Sequence, residues 1–155
     1  MSTDPNKSLD IQQLVAQIKF WAKELGFDKI GFCDTDIDNQ RQHYLDWLAQ
    51  DFQGDMSYLT KNIEKRLDPK KLVPNTKTII SVTMNYLTDP NAKELLDHPS
   101  KAYVSRYTLG RDYHKVLRSR LNQLAKKISA EIGPFGYRAF TDSAPVLERP
   151  LAEKA

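Results

Sequence analysis

Apolar residues recur along this chain at helical spacing in four stretches. Over residues 11–25 they return every three to four positions, which predicts an amphipathic helix that Ser8 caps and Gly26 ends. The same spacing over residues 113–132 predicts a longer helix with Asp112 as its N-cap residue. Two shorter helical patterns follow: residues 37–51 and the residues from Ala144 onwards.

Strand patterns lie between these helices. Residues 27–33 predict a short buried strand, and residues 78–86 predict a clearer one because they are rich in β-branched side chains. Residues 137–141 predict a third strand. This alternation of helix and strand favours an α/β fold, arranged as a three-layer-like sandwich in which helices flank a small mixed sheet.

Two stretches carry neither period. Residues 64–74 are polar and punctuated by proline, which predicts an ordered loop or short turns. Residues 88–100 contain the turn signals Asp89-Pro90 and His98-Pro99 and predict a mobile loop.

Composition excludes several classes of protein. The 155 residues allow one domain, contain no apolar run long enough to span a membrane, and begin without a signal-peptide pattern, so we expect a cytoplasmic protein with no membrane partner. One cysteine, Cys33, excludes an internal disulfide and any iron–sulfur cluster held by this chain alone. The three histidines are not spaced as zinc ligands, and the scattered glycines form neither a dinucleotide nor a P-loop motif.

Basic residues concentrate in residues 101–127. This segment has eight lysines and arginines against one acid, a net charge of +7 in a chain that totals +3. Such a block indicates either an anionic partner on one face or a solvated helix face.

The first candidate site is residues 106–114, where a glycine turn with two arginines and a histidine enters a predicted helix. Unpaired N–H groups and the positive end of the helix dipole favour an anion or amide oxygens at such a place. The alternative is a capped helix start with solvated arginines.

The second candidate site is residues 142–149, directly after the predicted third strand. Open α/β sheets bind ligands at the carboxyl ends of their strands, and a buried Asp142 there could hold a proton for delivery. The alternative is that Asp142 only caps the following helix.

The third candidate site is residues 64–69, in which Arg66 lies between two acids. Its guanidinium suits bidentate binding of carboxamide or phosphate oxygens. The alternative is an ion pair with Glu64 or Asp68 inside an ordered turn.

Taken together, these motifs resemble the N-terminal part of the epoxyqueuosine reductase family, from about Leu14 to Ala155. The matching motifs are Met-Ser-Tyr-Leu at 56–59, Glu-Lys-Arg-Leu-Asp-Pro at 64–69, Met-Asn-Tyr at 84–86, Gly-Arg-Asp-Tyr-His-Lys-Val-Leu-Arg at 110–118 and Asp-Ser-Ala-Pro-Val-Leu-Glu-Arg at 142–149.

The resemblance implies an oxidoreductase that reduces epoxyqueuosine to queuosine at the wobble position of a tRNA anticodon, the last step of queuosine biosynthesis. It implies cobalamin bound by this part, and paired 4Fe-4S clusters in a following ferredoxin-like domain. It also implies binding of the tRNA anticodon stem-loop, with Lys115, Arg118 and Arg120 available for its phosphates, and a monomer.

Site residues follow from the same resemblance. Asp142 matches the proton donor of the family and also contacts the cofactor. Arg66 and Ser105 match corrin-contacting positions. Asp112 and Arg149 match polar residues that line the same pocket.

The cluster-binding cysteines of the family are absent, and the chain stops in a helix-forming run at Ala155. We therefore expect residues 1–155 to be an N-terminal cobalamin-binding domain, truncated before the iron–sulfur domain and unable to complete turnover alone. Two other interpretations remain: a related corrinoid iron–sulfur reductase acting on a small molecule, and a non-catalytic module that binds RNA or anions.

Overall fold

The computed structural model describes residues 10–87 and 92–155. Helices and short strands alternate along it, which confirms the predicted α/β class. The elements are α1 Ile11–Glu24, β1 Lys29–Cys33, α2 Asp38–Ala49, α3 Ile63–Leu67, α4 Pro69–Leu72, β2 Ile79–Thr83, α5 Ala92–Leu96, α6 Tyr113–Ile132 and α7 Glu148–Lys154, with 3₁₀ turns at Ser57–Thr60 and Arg106–Thr108.

The predicted third strand does not form. Among the described residues the sheet has two strands, β1 and β2, which run antiparallel, and residues 133–140 have no regular structure. Phe135 and Tyr137 in this segment are 38% and 44% exposed, and their rings pack on each other at 5.7 Å. A β-prone sequence without a partner strand and a buried face does not become a strand, because strand propensity depends on packing.

Two smaller expectations also need correction, and a third is confirmed. The carboxylate of Asp10, not the side chain of Ser8, caps α1 by accepting the backbone N–H groups of Gln12 and Gln13; Ser8 itself lies outside the described residues. The predicted loop 88–100 contains helix α5, and its residues 88–91 also lie outside them. The short turns predicted over residues 64–74 are confirmed as α3 and α4.

The chain divides into two compact units. Unit 1 comprises Met1–Lys29 and Thr83–Ala139, and α1 packs there against α6. Its buried apolar residues come from both helices and the turn after α1: Ile18, Ala22, Phe27, Leu124, Ala125 and Ile128. Gly26 ends α1 with a φ of 79°, a conformation that favours glycine. This unit matches the amphipathic pattern of the sequence.

Unit 2 comprises Ile30–Val82 and Phe140–Ala155. Its core consists of Cys33, Ile37, Val146 and Leu151. The C-terminal helix α7 therefore packs, through Leu151, against the last residue of β1 and against Ile37. The Cys33 thiol donates to the Leu151 carbonyl oxygen at 3.4 Å, and burial raises the pKa of this thiol. Cys33 is therefore a core residue, as its apolar surroundings in the sequence predict.

None of the helices in the described part of the chain is long and apolar enough to cross a membrane.

Leu151→Ala tests the core of unit 2. Leu151 is 4% exposed, so we expect its truncation to lower the free energy of unfolding by about 2–5 kcal/mol through lost burial and a cavity. Urea unfolding followed by circular dichroism measures the change. Leu109→Ala is the control, since Leu109 is 52% exposed. Equal shifts for the two variants would contradict the assigned core.

Candidate functional site

A pocket of about 350 Å³ opens on unit 2. Its lining is mainly apolar and aromatic, with one guanidinium: Gln40, His43, Tyr44, Trp47, Leu59, Leu147, Arg149 and Pro150. Ligand pockets of small molecules typically combine such an apolar lining with a few polar groups. The pocket contains one residue that the family resemblance singles out, Arg149.

One wall of the pocket comes from α2. Tyr44 and Trp47 are three residues apart, so the helix places both rings on one face, where they stack at 6.1 Å with an interplanar angle of 17°. The Tyr44 hydroxyl donates to the Leu59 carbonyl oxygen at 2.7 Å. Burial raises the pKa of the Tyr44 phenol, and the nearby charge of Arg66 opposes this rise. This aromatic pair was not predicted from the sequence. Its i, i+3 spacing indicates that the two rings can share a helix face, but not that a pocket lies beside them.

Arg66 supports the same wall from α3. Its Nη2 donates to the Tyr58 carbonyl oxygen at 3.1 Å and its Nε donates to the Lys61 carbonyl oxygen at 3.2 Å. These bonds hold the turn that carries Leu59 into the pocket. The guanidinium thus binds backbone oxygens of an ordered turn, where the sequence offered an ion pair with Glu64 or Asp68 as the structural alternative.

Asp142 lies in the loop before α7, and its side chain is exposed. Its φ is 51°, a left-handed conformation that aspartate adopts more often than most residues other than glycine. Its backbone N–H donates to Oε1 of Glu148 at 3.0 Å. The alternative that Asp142 caps the next helix is wrong, because the N-cap residue of α7 is Leu147, which makes no side-chain cap bond. The position at a strand end is also wrong, since residues 137–141 form no strand.

Glu148 is the first residue of α7 and is half-buried. Burial raises the pKa of its carboxyl, and the charge of Asp142 raises it further, against the opposing effect of the hydrogen bond from the Asp142 N–H. Glu148 belongs to the motif at 142–149, but no role for it was predicted from the sequence.

The exposed Arg149 follows directly and lines the pocket together with Leu147 and Pro150. Unit 2 thus brings three of the predicted site residues into one region. Arg149 lines the pocket, Arg66 holds the turn that carries the lining residue Leu59, and Asp142 is hydrogen-bonded to the residue between Leu147 and Arg149.

The other two predicted site residues, Ser105 and Asp112, belong to unit 1. Ser105 is exposed, and its carbonyl oxygen accepts both the backbone N–H and the hydroxyl of Thr108. Asp112 caps α6 by accepting the backbone N–H of His114 at 3.0 Å, and it pairs with Nδ1 of the same residue at 3.0 Å. The hydrogen bond from His114 lowers the pKa of the Asp112 carboxyl. The predicted N-cap at Asp112 is confirmed.

A row of aromatic rings leads to that cap. Tyr86, Tyr107, Tyr113 and His114 contact one another in sequence, with ring centroids 6.3, 5.7 and 4.0 Å apart. Tyr86 and Tyr107 are 60% and 48% exposed. This row was not expected from the sequence: residues 78–86 predict a strand, whereas β2 ends at Thr83 and leaves Tyr86 beyond it, and Tyr107 lies in a 3₁₀ turn.

The basic block of unit 1 divides into engaged and exposed members. Arg120 Nη1 contacts the Gly26 carbonyl oxygen and Sδ of Met84, at 3.4 and 3.0 Å. Lys127 pairs with Glu24 at 3.1 Å. Lys115 and Arg118 are exposed on α6. Nη1 of Arg120 is thus engaged by residues of its own unit, and the availability of Arg120 for phosphates stays a prediction.

Of the two cofactors that the resemblance implies, cobalamin fits the residues of this chain better than a 4Fe-4S cluster does. Four cysteines usually hold a 4Fe-4S cluster, and this chain has one, which is buried, so it does not fit an iron–sulfur cluster. The described residues also contain no group of three potential metal ligands. The pocket of unit 2 fits part of a cobalamin better: its stacked aromatic wall suits the apolar face of a macrocycle, and the Arg149 guanidinium suits peripheral amide oxygens.

Comparisons with known proteins agree with the resemblance. The family model described as "Epoxyqueuosine reductase QueG, DUF1730" matches residues 66–143. The epoxyqueuosine reductase of Pseudomonas aeruginosa is 49% identical over 147 residues, which are 94% of this chain and 41% of that protein.

Two solved structures are also similar. One is an epoxyqueuosine reductase with an epoxyqueuosine-modified tyrosine tRNA stem loop: TM-score 0.69, 27% identity, covering 94% of this chain and 39% of that one. The other is the enzyme of Bacillus subtilis, whose catalytic loop is described as swung out of the active site: TM-score 0.68, 25% identity, covering 94% of this chain and 38% of that one.

This chain thus spans about two fifths of the length of the curated relatives that it matches. The family model covers half of the chain, and the identity to relatives extends over nearly all of it. The resemblance seen in the sequence motifs is confirmed: this chain belongs to the epoxyqueuosine reductase family.

Proposed function

We propose that residues 1–155 form the N-terminal, cobalamin-binding part of an epoxyqueuosine reductase. The reaction is the reduction of epoxyqueuosine to queuosine at the wobble position of a tRNA anticodon, the last step of queuosine biosynthesis. The protein works as a monomer in the cytoplasm, and the 4Fe-4S clusters that supply its electrons are held outside this chain. Identity of 49% to a named epoxyqueuosine reductase supports the proposal.

One observation carries the assignment to unit 2. An exposed carboxylate, Asp142, is hydrogen-bonded through its backbone to Glu148, and both neighbours of Glu148 line an aromatic-walled pocket. A proton donor must lie at the edge of the site where the substrate is held, since proton transfer requires hydrogen-bonding distance. We assign this position to Asp142, next to a pocket that the substrate covers.

The chemistry needs a proton source in this place. Conversion of an epoxide to an alkene takes two electrons and two protons and releases water. Cobalamin, when bound, supplies the electrons that break the carbon–oxygen bond. The oxygen leaves as water and therefore takes both protons. We assign delivery of the first proton to the Asp142 carboxyl, which becomes a carboxylate, and the second proton comes from solvent.

Each unit, taken by itself, carries residues that we propose as cobalamin contacts. Within unit 2, Arg149 contacts the cofactor from the pocket lining, and Arg66 contacts it at the turn that its guanidinium holds. Within unit 1, Ser105 is exposed, and the exposed Asp112 has a carboxylate that also caps α6. Each of these residues is a proposed cobalamin contact.

We assign the anticodon stem-loop to the exposed basic residues of α6. Lys115 and Arg118 are free of the contacts that engage Arg120 and Lys127, so their charges are available for phosphates. A solved relative described with an epoxyqueuosine-modified tRNA stem loop supports an RNA partner for this family.

Cobalamin titration of the 155-residue chain tests the cofactor assignment. We expect saturable binding in the visible absorption spectrum, and weakening by about tenfold or more in Arg66→Ala, because two charge-assisted hydrogen bonds that shape the pocket wall are lost. Lys65→Ala is the control, since Lys65 is exposed on the same helix. RNA binding without cobalamin binding would favour the non-catalytic module, and cobalamin-dependent turnover of a small molecule alone would favour the other corrinoid reductase.

Asp142→Asn tests the proton donor. The substitution is made in a hybrid protein, in which this chain replaces the matching part of the Pseudomonas aeruginosa enzyme. The hybrid without the substitution must be active. We expect epoxyqueuosine reduction to fall by about 10²- to 10⁴-fold while cobalamin affinity is retained, because asparagine cannot donate the proton. Asp55→Asn, an exposed aspartate of the same unit, serves as control. A normal rate in the Asp142 variant would refute its role.

Salt dependence tests the RNA surface. We expect Lys115→Gln and Arg118→Gln each to reduce the slope of log affinity against log salt concentration by about 0.7–0.9, the loss of one phosphate contact. Lys127→Gln should leave the slope unchanged, because Lys127 already pairs with Glu24. Fluorescence anisotropy with an anticodon stem-loop measures the slopes, and identical slopes in all three variants would place the RNA elsewhere.

A further inference from the structure

Apolar packing anchors both flanks of the loop that carries Asp142. Phe140 on one side, and Ala144 and Leu147 on the other, pack against the core of unit 2, in which Val146 is 7% exposed. Asp142 and Ser143 lie between these flanks and are exposed. Burial therefore fixes the ends of the loop, and polar contacts contribute to the conformation of its exposed tip.

Asp142 also has a backbone conformation that needs support. A non-glycine residue with φ near +50° is held in a sparsely populated region, which persists when surrounding contacts determine it. The Glu148 carboxylate provides such a contact by accepting the Asp142 N–H at 3.0 Å. This bond reaches back across six residues from the first turn of α7, a rigid element whose Leu151 is buried in the core.

The half-buried carboxylate of Glu148 is costly where it lies. Burial and the nearby charge of Asp142 both disfavour its ionised form, as the raised pKa of Glu148 indicates. The surroundings therefore disfavour a charge on Glu148, but its carboxyl oxygen accepts a hydrogen bond from the Asp142 N–H. The oxygen acceptor is the feature of Glu148 that contacts Asp142 directly.

We propose that Glu148 is a positioning residue that latches the Asp142 loop. Its Oε1 accepts the Asp142 N–H, holds Asp142 in the left-handed conformation, and thereby aims the carboxyl at the substrate. The latch rests on the proposed function, in which Asp142 delivers a proton. A related structure described with its catalytic loop swung out of the active site agrees with a loop that needs such a latch.

Three variants separate the acceptor from the charge. Glu148→Gln keeps an oxygen acceptor at the same distance without the charge, Glu148→Ala removes the acceptor, and Glu148→Asp keeps the charge but draws it back by one methylene. We expect amide hydrogen exchange of Asp142, measured by NMR in the 155-residue chain, to accelerate about tenfold in the Ala and Asp variants and to stay unchanged in the Gln variant.

The same variants in the active hybrid give the catalytic readout. We expect kcat for epoxyqueuosine reduction to fall about ten- to hundredfold in Glu148→Ala and Glu148→Asp, with KM for the modified stem-loop unchanged, and to recover in Glu148→Gln. Cobalamin affinity should be the same in all variants.

Each outcome has one meaning. Unchanged exchange at Asp142 in both Glu148→Ala and Glu148→Asp overturns the latch, and so does an unchanged kcat in a variant whose exchange accelerates. If Glu148→Ala does not fold, Glu148→Asp decides. If Asp142→Asn is fully active while exchange in Glu148→Ala accelerates, the proton-donor assignment fails and the hydrogen bond stands as a structural contact alone.

Discussion

Packing of α7 against Cys33, the last residue of β1, and against Ile37 is the constraint on which the site of unit 2 depends. Leu151 and Val146 are covered by Cys33 and Ile37, and this packing fixes where the helix starts. Because Arg149 and Pro150 lie in its first turn, the same packing sets one wall of the pocket. The site is thus built on a helix end, which is more rigid than a loop.

Several polar residues that the sequence suggests for binding or catalysis make hydrogen bonds that stabilise the fold. Arg66 holds backbone carbonyls, Asp112 caps α6, and Arg120 is turned toward Gly26 and Met84. Such contacts do not exclude a binding role, because a guanidinium has five donors and a carboxylate has several acceptor sites. They do mean that a substitution at these positions changes the local backbone as well as any ligand contact. Variants that keep part of the donor or acceptor set are therefore more informative than alanine alone.

The sequence predicted what depends on local periodicity. The amphipathic pattern gave α1 and α6 to within a few residues, and the motifs identified the family. It failed at residues 137–141, because a strand requires a partner that local sequence does not reveal. The stacked pair Tyr44 and Trp47 and the bond from Asp142 to Glu148 were missed for the same reason: their significance comes from what the fold places beside them.

Exposure of Asp142 sets a condition on the role that we propose for it. Electrostatic and hydrogen-bonding interactions in a reaction site become stronger when water is expelled from it. In unit 2 the apolar surfaces that could exclude water are the pocket walls, and the Asp142 residue is exposed. Any further surface that shields Asp142 from water must therefore come from the molecules that cover the pocket. If Asp142 is the proton donor, its environment is completed by ligand binding, so its role has to be measured with the pocket filled.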